Sequence, residues 1–391
     1  MWRNDPPHLP EAKGPYLPGC MDIMLEYSIT GTFTRLYYPT KMKTEQPSHS
    51  RWIPWFADDN YLDGIAKAIR VYPGAVRFVS WLYSAHNMQI PSIYGEKVNT
   101  DKKLKCIVFS HGFAGNRFLY SVICNELASR GYLVAVIEHR DQTACFTYYY
   151  KSKEDAALDI RTPVYVRKIQ IGQGHYELRN EQVNQRANEC SKLLDFLINL
   201  NNGIIPHNVL DDVKTGKEIN FKLEDLVGHL DLDNLMIAGH SFGAASALLT
   251  LSKRKELKLG ILLDPWMFPI KSENGILENT TQPLLFVNTQ TFHIGSNVTA
   301  MEKFLTNEHR QMYTILHTTH ENQTDSVLVL GYWLNWFMKK LNPYVALQIN
   351  NGLILRFLKQ HTGHDENIDD CEAFLHEQDN NIESGLTKPW I

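Results

Sequence analysis

Short apolar runs and longer helix-period segments alternate along the chain. Between Met24 and Tyr38 the pattern Thr-Phe-Thr-Arg-Leu-Tyr-Tyr predicts a strand that stops at Pro39. Residues 60–84 set Ile65, Ala66, Ile69, Val76, Val79, Trp81 and Leu82 among Lys67, Arg70 and Arg77, a helical spacing broken near Pro73-Gly74. Lys105 to Phe109 is a short buried strand that leads directly into Ser110-His111-Gly112. Leu119 to Arg130 is helix-periodic and closed by Gly131, and Tyr132 to Ile137 is a second run rich in β-branched residues. Strand, glycine-bearing turn, helix and strand within about 30 residues make a βαβ unit, and therefore parallel pairing.

The same rhythm continues downstream. Glu181 to Asn201 is helical, with Val183, Ala187, Leu193, Leu194, Leu197 and Ile198 on or near one face. Asn234 to Ala238 is a short strand, Ala244 to Leu251 a helix, and Gly260–Leu263, Pro283–Asn288 and Gln311–Leu316 are three more strands. Repeated β-α order predicts an α/β fold with a mostly parallel central sheet and helices on both faces. No internal repeat is apparent. Residues 1–25 are Pro-rich and expected to run extended over the surface, and residues 26–362 to form one domain with insertions near 141–180 and 205–230. The acidic, hydrophilic residues 363–391 are expected to be a flexible tail.

Composition narrows the functional classes. The 391 residues carry 39 Lys+Arg against 43 Asp+Glu, a net charge of −4, so bulk electrostatics do not point to nucleic acid. At 43% hydrophobic and 21% charged, the chain is neither disordered nor fibrous. Its six cysteines are widely spaced, with no Cys-x-x-Cys pair, so a zinc ribbon or thioredoxin-type site is unsupported and the chain is not a disulfide scaffold. The start, Met-Trp-Arg-Asn-Asp-Pro-Pro, has no apolar signal-peptide core and no glycine for myristoylation, and no apolar run reaches membrane-spanning length. The formal sequons at Asn279, Asn297 and Asn322 are read as chance, and the expected setting is the cytoplasm, with peripheral membrane association left open.

Chemistry concentrates in Gly239-His240-Ser241-Phe242-Gly243, which follows a strand and opens a helix of small residues. That is the context of a nucleophile elbow, where the flanking glycines relieve clashes and the helix N-terminus stabilises negative charge. A nucleophilic serine needs a base, and the base needs an orienting acid. In α/β-hydrolase chain order the acid comes next: Asp264, 23 residues on, ends the strand Gly260–Leu263. The base is assigned to His320, in a loop just after the strand through Ile315, with His317 the nearest rival and His309 and His293 weaker. His317-x-x-His320 could suggest a metal pair, but no third ligand motif accompanies it, so no metal and no cofactor is assigned. The oxyanion donors are assigned to the backbone N–H groups of Phe242 and Phe113, the latter in the glycine-rich segment Ser110-His111-Gly112-Phe113-Ala114-Gly115.

These motifs, together with Leu263-Asp264-Pro265-Trp266-Met267-Phe268-Pro269, resemble the calcium-independent plasma and intracellular type II platelet-activating factor acetylhydrolases, which have the α/β-hydrolase fold. Further matches are Glu126–Tyr132, Glu138-His139-Arg140-Asp141 and Phe357–His361, so the similarity runs from about Gly14 to His361. The resemblance implies hydrolysis, without calcium, of the sn-2 acetyl or short oxidised acyl ester of a phospholipid. It supports Ser241, Asp264 and His320 as triad and Phe113 and Phe242 as oxyanion donors. Pro265 and Ala114-Gly115-Asn116 depart from the family pattern and leave the acyl-length preference open.

A phospholipid sits in a membrane or aggregate, so an interfacial surface is expected. Residues 60–84 and the segment Val327–Leu341, with Trp333, Trp336 and Phe337 followed by Lys339-Lys340, have the aromatic and basic character of a headgroup boundary. Packing on the sheet explains the same pattern. Trp266 and Phe268 are further candidates for substrate contact. No obligate protein partner is evident. Two other functions remain open at this point: a broader carboxylesterase or lipase on the same triad, and a non-catalytic lipid-binding protein on the same fold.

Overall fold

The structure is a computed structural model of the whole chain, and it describes all residues except 1–6, 43–50, 168–173, 215, 217, 293, 332–338, 364 and 386–391. Its centre is a ten-stranded sheet. In chain order the strands are β1 (Pro18–Met24), β2 (Phe33–Pro39), β3 (Ile93–Tyr94), β4 (Leu104–Ser110), β5 (Tyr132–Ile137), β6 (Leu230–His240), β7 (Gly260–Leu263), β8 (Leu284–Thr289), β9 (Arg310–Ile315) and β10 (Ile382–Ser384). Across the sheet they run β10-β9-β8-β7-β6-β4-β5-β2-β1-β3. From β5 through β4, β6, β7 and β8 to β9 every pairing is parallel, while β2 on β5, β1 on β2 and β10 on β9 are antiparallel.

The principal helices are α1 (Asp59–Ile69), α2 (Pro73–Leu82), α3 (Ser121–Ser129), α4 (His175–Asn201), α5 (Phe242–Lys253), α6 (Pro343–Thr362) and α7 (Asp369–Glu377). Alternate strand residues face opposite sides, so β4 sends Ile107 and Phe109 into a core shared with α3 and α6, and Cys106 and Val108 into a second core shared with α4 and α5. This is the two-faced α/β arrangement that the β-α order predicted. The predicted break near Pro73 is the α1–α2 boundary, with Pro73 as the first residue of α2, where its missing N–H costs nothing.

Both ends depart from expectation. The single strand expected over Met24–Tyr38 is a hairpin whose first arm, β1, lies inside the supposed surface segment 1–25, and every residue of β1 is buried. Asp22 breaks the apolar pattern there and hides the strand. Its carboxylate is buried and bound by Arg35 at 2.7 and 2.8 Å and by Arg117 at 3.1 and 3.0 Å. Burial alone would raise the Asp22 pKa, but the two guanidinium groups outweigh it and hold the carboxyl well below its ordinary range.

At the other end, the acidic stretch carries α7 and β10, with Leu375 buried against α6 and β10 pairing with β9. Its acidity is answered by cations on the body of the protein: Arg130 binds Asp370 at 2.6 Å and Arg356 binds Glu372 at 2.6 Å.

Candidate active site

Strand register gathers the candidate residues. Ser110 of β4 lies opposite Gly239 of β6, His240 opposite Leu263 of β7, Leu263 opposite Val287 of β8, and Thr289 opposite Ile315 of β9. The residues that follow each strand therefore emerge side by side along one carboxyl edge, the edge on which open α/β sheets carry their sites.

Ser241 sits between β6 and α5 at φ 56° and ψ −117°, a strained conformation for a residue with a side chain. Four hydrogen bonds hold it: its N–H donates to the Leu263 carbonyl at 2.9 Å, and its carbonyl accepts from the N–H groups of Trp266 (3.1 Å), Ala244 (3.1 Å) and Ala245 (3.3 Å). The two glycines of the motif permit contact that no side chain could. A Cβ on Gly239 would lie 2.3 Å from the Gly243 carbonyl oxygen, and one on Gly243 would lie 2.0 Å from that of Ser110.

Asp264, at φ 43°, is completely buried at the end of β7. Its Oδ2 faces His320 Nδ1 at 2.9 Å and accepts the Thr289 hydroxyl at 2.5 Å, and its Oδ1 accepts the Thr289 N–H at 2.6 Å. Burial pushes the Asp264 carboxyl pKa up, against the lowering effect of His320 and Thr289. An ionised carboxylate can only accept, so opposite it a neutral His320 ring would carry its hydrogen on Nδ1 and present the Nε2 lone pair. The ring is held between Phe292, with centroids 3.9 Å apart, and His240, 4.4 Å apart.

Of the rival histidines, His317 donates its N–H to Gln290 and accepts from Leu341 through its carbonyl, His309 packs against His361, and His293 lies outside the described residues. Only His320 meets Asp264 among those described.

Phe242 follows Ser241 directly, and Gly112, which precedes Phe113, lies close enough that a Cβ on it would come within 3.4 Å of Ser241 Cβ. Phe242 is the first residue of α5, so its N–H has no partner inside the helix, and no hydrogen bond donated by the Phe113 N–H is found among the described residues. Fully buried Arg186 braces both segments. Its guanidinium donates to the His111 carbonyl at 2.5 Å, pairs with Asp141 at 2.9 Å and lies 4.8 Å from the Phe242 ring centroid.

Trp266 and Phe268 are half-buried and stacked on one another at 5.8 Å, and Trp266 also packs on Phe242 at 5.6 Å. They form an aromatic wall next to the elbow. Trp333, Trp336 and Phe337 lie outside the described residues. Thr289, Tyr120, Arg186 and Phe292 had no signal in the sequence, because a lone Thr, Tyr, Arg or Phe belongs to no motif.

Among the described residues, the one group of three potential metal ligands is His240, Asp264 and His320, whose ligand atoms lie within 4.8 Å of one another. Two of the three are already committed to each other through the Nδ1–Oδ2 contact, so a metal would have to break the pair.

The family model "Platelet-activating factor acetylhydrolase, isoform II" matches residues 3–382. The chain belongs to that family. A platelet-activating factor acetylhydrolase from Bos taurus is 34% identical over 382 residues, covering 96% of this chain and 82% of the relative. One from Gallus gallus is 32% identical, covering 96% and 89%. Among solved structures, a ferulic acid esterase from Streptomyces cinnamoneus superposes with a TM-score of 0.60 at 14% identity, over 97% of this chain and 99% of that one. This likeness in fold agrees with the α/β-hydrolase architecture expected from the elbow. No helix among the described residues is long and apolar enough to cross a membrane.

Proposed function

We propose that this acetylhydrolase-family member is a calcium-independent serine esterase that removes the sn-2 acetyl or short acyl group of a phospholipid. Ser241 Oγ attacks the ester carbonyl while His320 Nε2 takes its proton. The oxyanion of the tetrahedral intermediate is met by the N–H groups of Phe113 and Phe242 and by the N-terminus of α5. Collapse expels the lysophospholipid alkoxide, which receives the proton from His320 and leaves an acyl-Ser241. Water then attacks this acyl-enzyme with His320 again as base, and releases the short carboxylate. Asp264 holds the Nδ1–H tautomer and stabilises the imidazolium formed in each half-reaction.

The observation that carries this reading is the Asp264–His320 contact at 2.9 Å on the sheet edge where strained Ser241 emerges. Labelling of Ser241 by a fluorophosphonate, and its abolition in Ser241→Ala together with acetate release, tests it. Retained esterase activity in purified Ser241→Ala would overturn it. An sn-2 acyl-length series with and without chelator tests the substrate class, and equal rates on acetyl phospholipid, long-chain phospholipid and triacylglycerol would defeat the narrow claim.

We further infer that the enzyme meets lipid through α2. Ser80 is its one buried residue, while Tyr72, Phe78, Trp81 and Leu82 around it are 79, 60, 62 and 59% exposed. The Phe78 and Trp81 rings stack 6.0 Å apart, giving an apolar patch suited to the headgroup boundary.

A further inference from the structure

One buried hydroxyl joins the two halves of the oxyanion site. Tyr120 Oη accepts the Gly112 N–H at 2.8 Å and faces His240 Nδ1 at 2.9 Å. Gly112 immediately precedes Phe113, and His240 immediately precedes the Ser241-Phe242 pair. Both assigned oxyanion donors are thus within two residues of a contact made by the same oxygen.

Counting hydrogens fixes the direction of the second contact. If Nδ1 of His240 donated to Tyr120, the phenol hydrogen would have no acceptor and Nε2 would be left with a bare lone pair. If the phenol donates to Nδ1, the one group left over is the Nε2–H, which interacts with the His320 backbone. Burial pushes the His240 pKa well below its ordinary value, outweighing the raising effect of its hydrogen bond with the His320 backbone, so the ring stays neutral and available as an acceptor. Burial also keeps the Tyr120 phenol protonated by raising its pKa.

The space around this hydroxyl is full. A Cβ on Gly112 would come within 3.1 Å of both His240 Nδ1 and Tyr120 Oη, and within 3.4 Å of Ser241 Cβ. Any change in the Tyr120 bridge therefore bears on the elbow directly, and on the His320 ring through the 4.4 Å contact with His240.

We propose that Tyr120 and His240 are positioning residues for the esterase reaction: the Gly112–Tyr120–His240 bridge sets the spacing of the two oxyanion donors and locks His240 as the Nε2–H tautomer, the fixed wall against which the His320 ring is held. This rests on Ser241, Asp264 and His320 being the triad.

The test is a double-mutant cycle in the full-length protein on a soluble acetyl ester. Tyr120→Phe keeps the ring and loses the hydroxyl, and should lower kcat about 10- to 100-fold with KM changed less than about threefold. His240→Phe removes the acceptor, and the double variant should lose no more than the larger single loss, because both break one bridge. His240→Asn puts a carbonyl oxygen near the place of Nδ1 and should recover part of the kcat lost in His240→Phe. Nitrogen NMR of histidine-labelled protein should show His240 Nδ1 unprotonated in the wild type and a tautomer mixture in Tyr120→Phe. Additive losses in the cycle, an unchanged kcat in folded Tyr120→Phe, or a protonated Nδ1 in the wild type would overturn the proposal. Should Tyr120→Phe not fold, the wild-type NMR spectrum and the pair His240→Phe and His240→Asn still decide. A wild-type Ser241 that fluorophosphonate does not label would instead overturn the triad reading beneath it.

Discussion

Asp264→Asn is the sharpest perturbation of the site, because the structure allows the new amide one orientation. The Thr289 N–H points at Oδ1 from 2.6 Å, so the amide oxygen must occupy that place and its NH2 group must replace Oδ2. Oδ2 faces both the Thr289 hydroxyl at 2.5 Å and His320 Nδ1 at 2.9 Å. The hydroxyl can rotate and accept, whereas the imidazole can meet an N–H donor only with the lone pair of Nδ1. The ring hydrogen then moves to Nε2, the atom that should receive the serine proton. A wrong tautomer of this kind lowers kcat by about 10⁴, or roughly 5 kcal/mol of transition-state stabilisation. The fold should lose much less, about 1–2 kcal/mol for one weakened buried hydrogen bond. Acetate release from an sn-2 acetyl phospholipid gives kcat and KM, the rate of fluorophosphonate labelling should fall in parallel, and a denaturant melt reports the fold. A variant that keeps more than about a tenth of wild-type kcat with an unchanged melt would refute the argument.

Three further outcomes follow from particular contacts. Gly243→Ala should destabilise by about 3 kcal/mol or more and abolish Ser241 labelling, since its Cβ would lie 2.0 Å from the Ser110 carbonyl; an unchanged melting temperature would contradict that close approach. Buried Asp325 accepts from the N–H groups of Ser121 and Val122 at the start of α3, and burial raises its pKa from 3.8 to about 7. Its share of stability is thus fully present below pH 3.8 and lost as pH rises through about 7, so the stability difference between wild type and Asp325→Asn should fall by about 1.4 kcal/mol per pH unit between those values, and a flat difference would be contrary. Phe78→Glu with Trp81→Glu should weaken binding to phosphatidylcholine vesicles at least tenfold while leaving turnover of a soluble ester within about twofold; equal vesicle binding would remove α2 as the contact.

What the sequence disclosed and what it hid divide along physical lines. Strands buried on both faces read as uninterrupted apolar runs, so β4, β5, β7 and β8 were legible to within a residue or two. The elbow was legible because close backbone approach demands glycine at two fixed positions. β1 was hidden because Asp22 looks like a surface residue until Arg35, opposite it across the hairpin, and Arg117, 95 residues on, are brought to it. α7 and β10 were hidden because their few apolar anchors, such as Leu375, are outnumbered by acids whose partners Arg130 and Arg356 lie elsewhere. Thr289 and Tyr120 act through hydrogen bonds of 25 and 120 residues' separation, and local pattern carries no trace of those.

Backbone strain ties fold to chemistry. Ala114, Ser241, Asp264 and His317 all adopt positive φ, at 56°, 56°, 43° and 60°, although none is glycine. Each follows closely on the end of β4, β6, β7 or β9, and each belongs to the segment that delivers one part of the site. Conformations of this kind cost about 1–3 kcal/mol apiece and persist only where the surroundings over-determine them. Here the surroundings are parallel strands in register, whose carbonyl and amide groups continue into the turns: Leu263 binds the Ser241 N–H, and Val287 binds the Asp264 N–H, each at 2.9 Å. The sheet thus supplies the rigidity that lets four sharply turned loops keep the proposed nucleophile, acid, base and oxyanion donors at fixed separations. It follows that stabilising substitutions in the loops, chosen to relax these angles, should trade activity for stability more steeply than substitutions of equal size in α4 or α6.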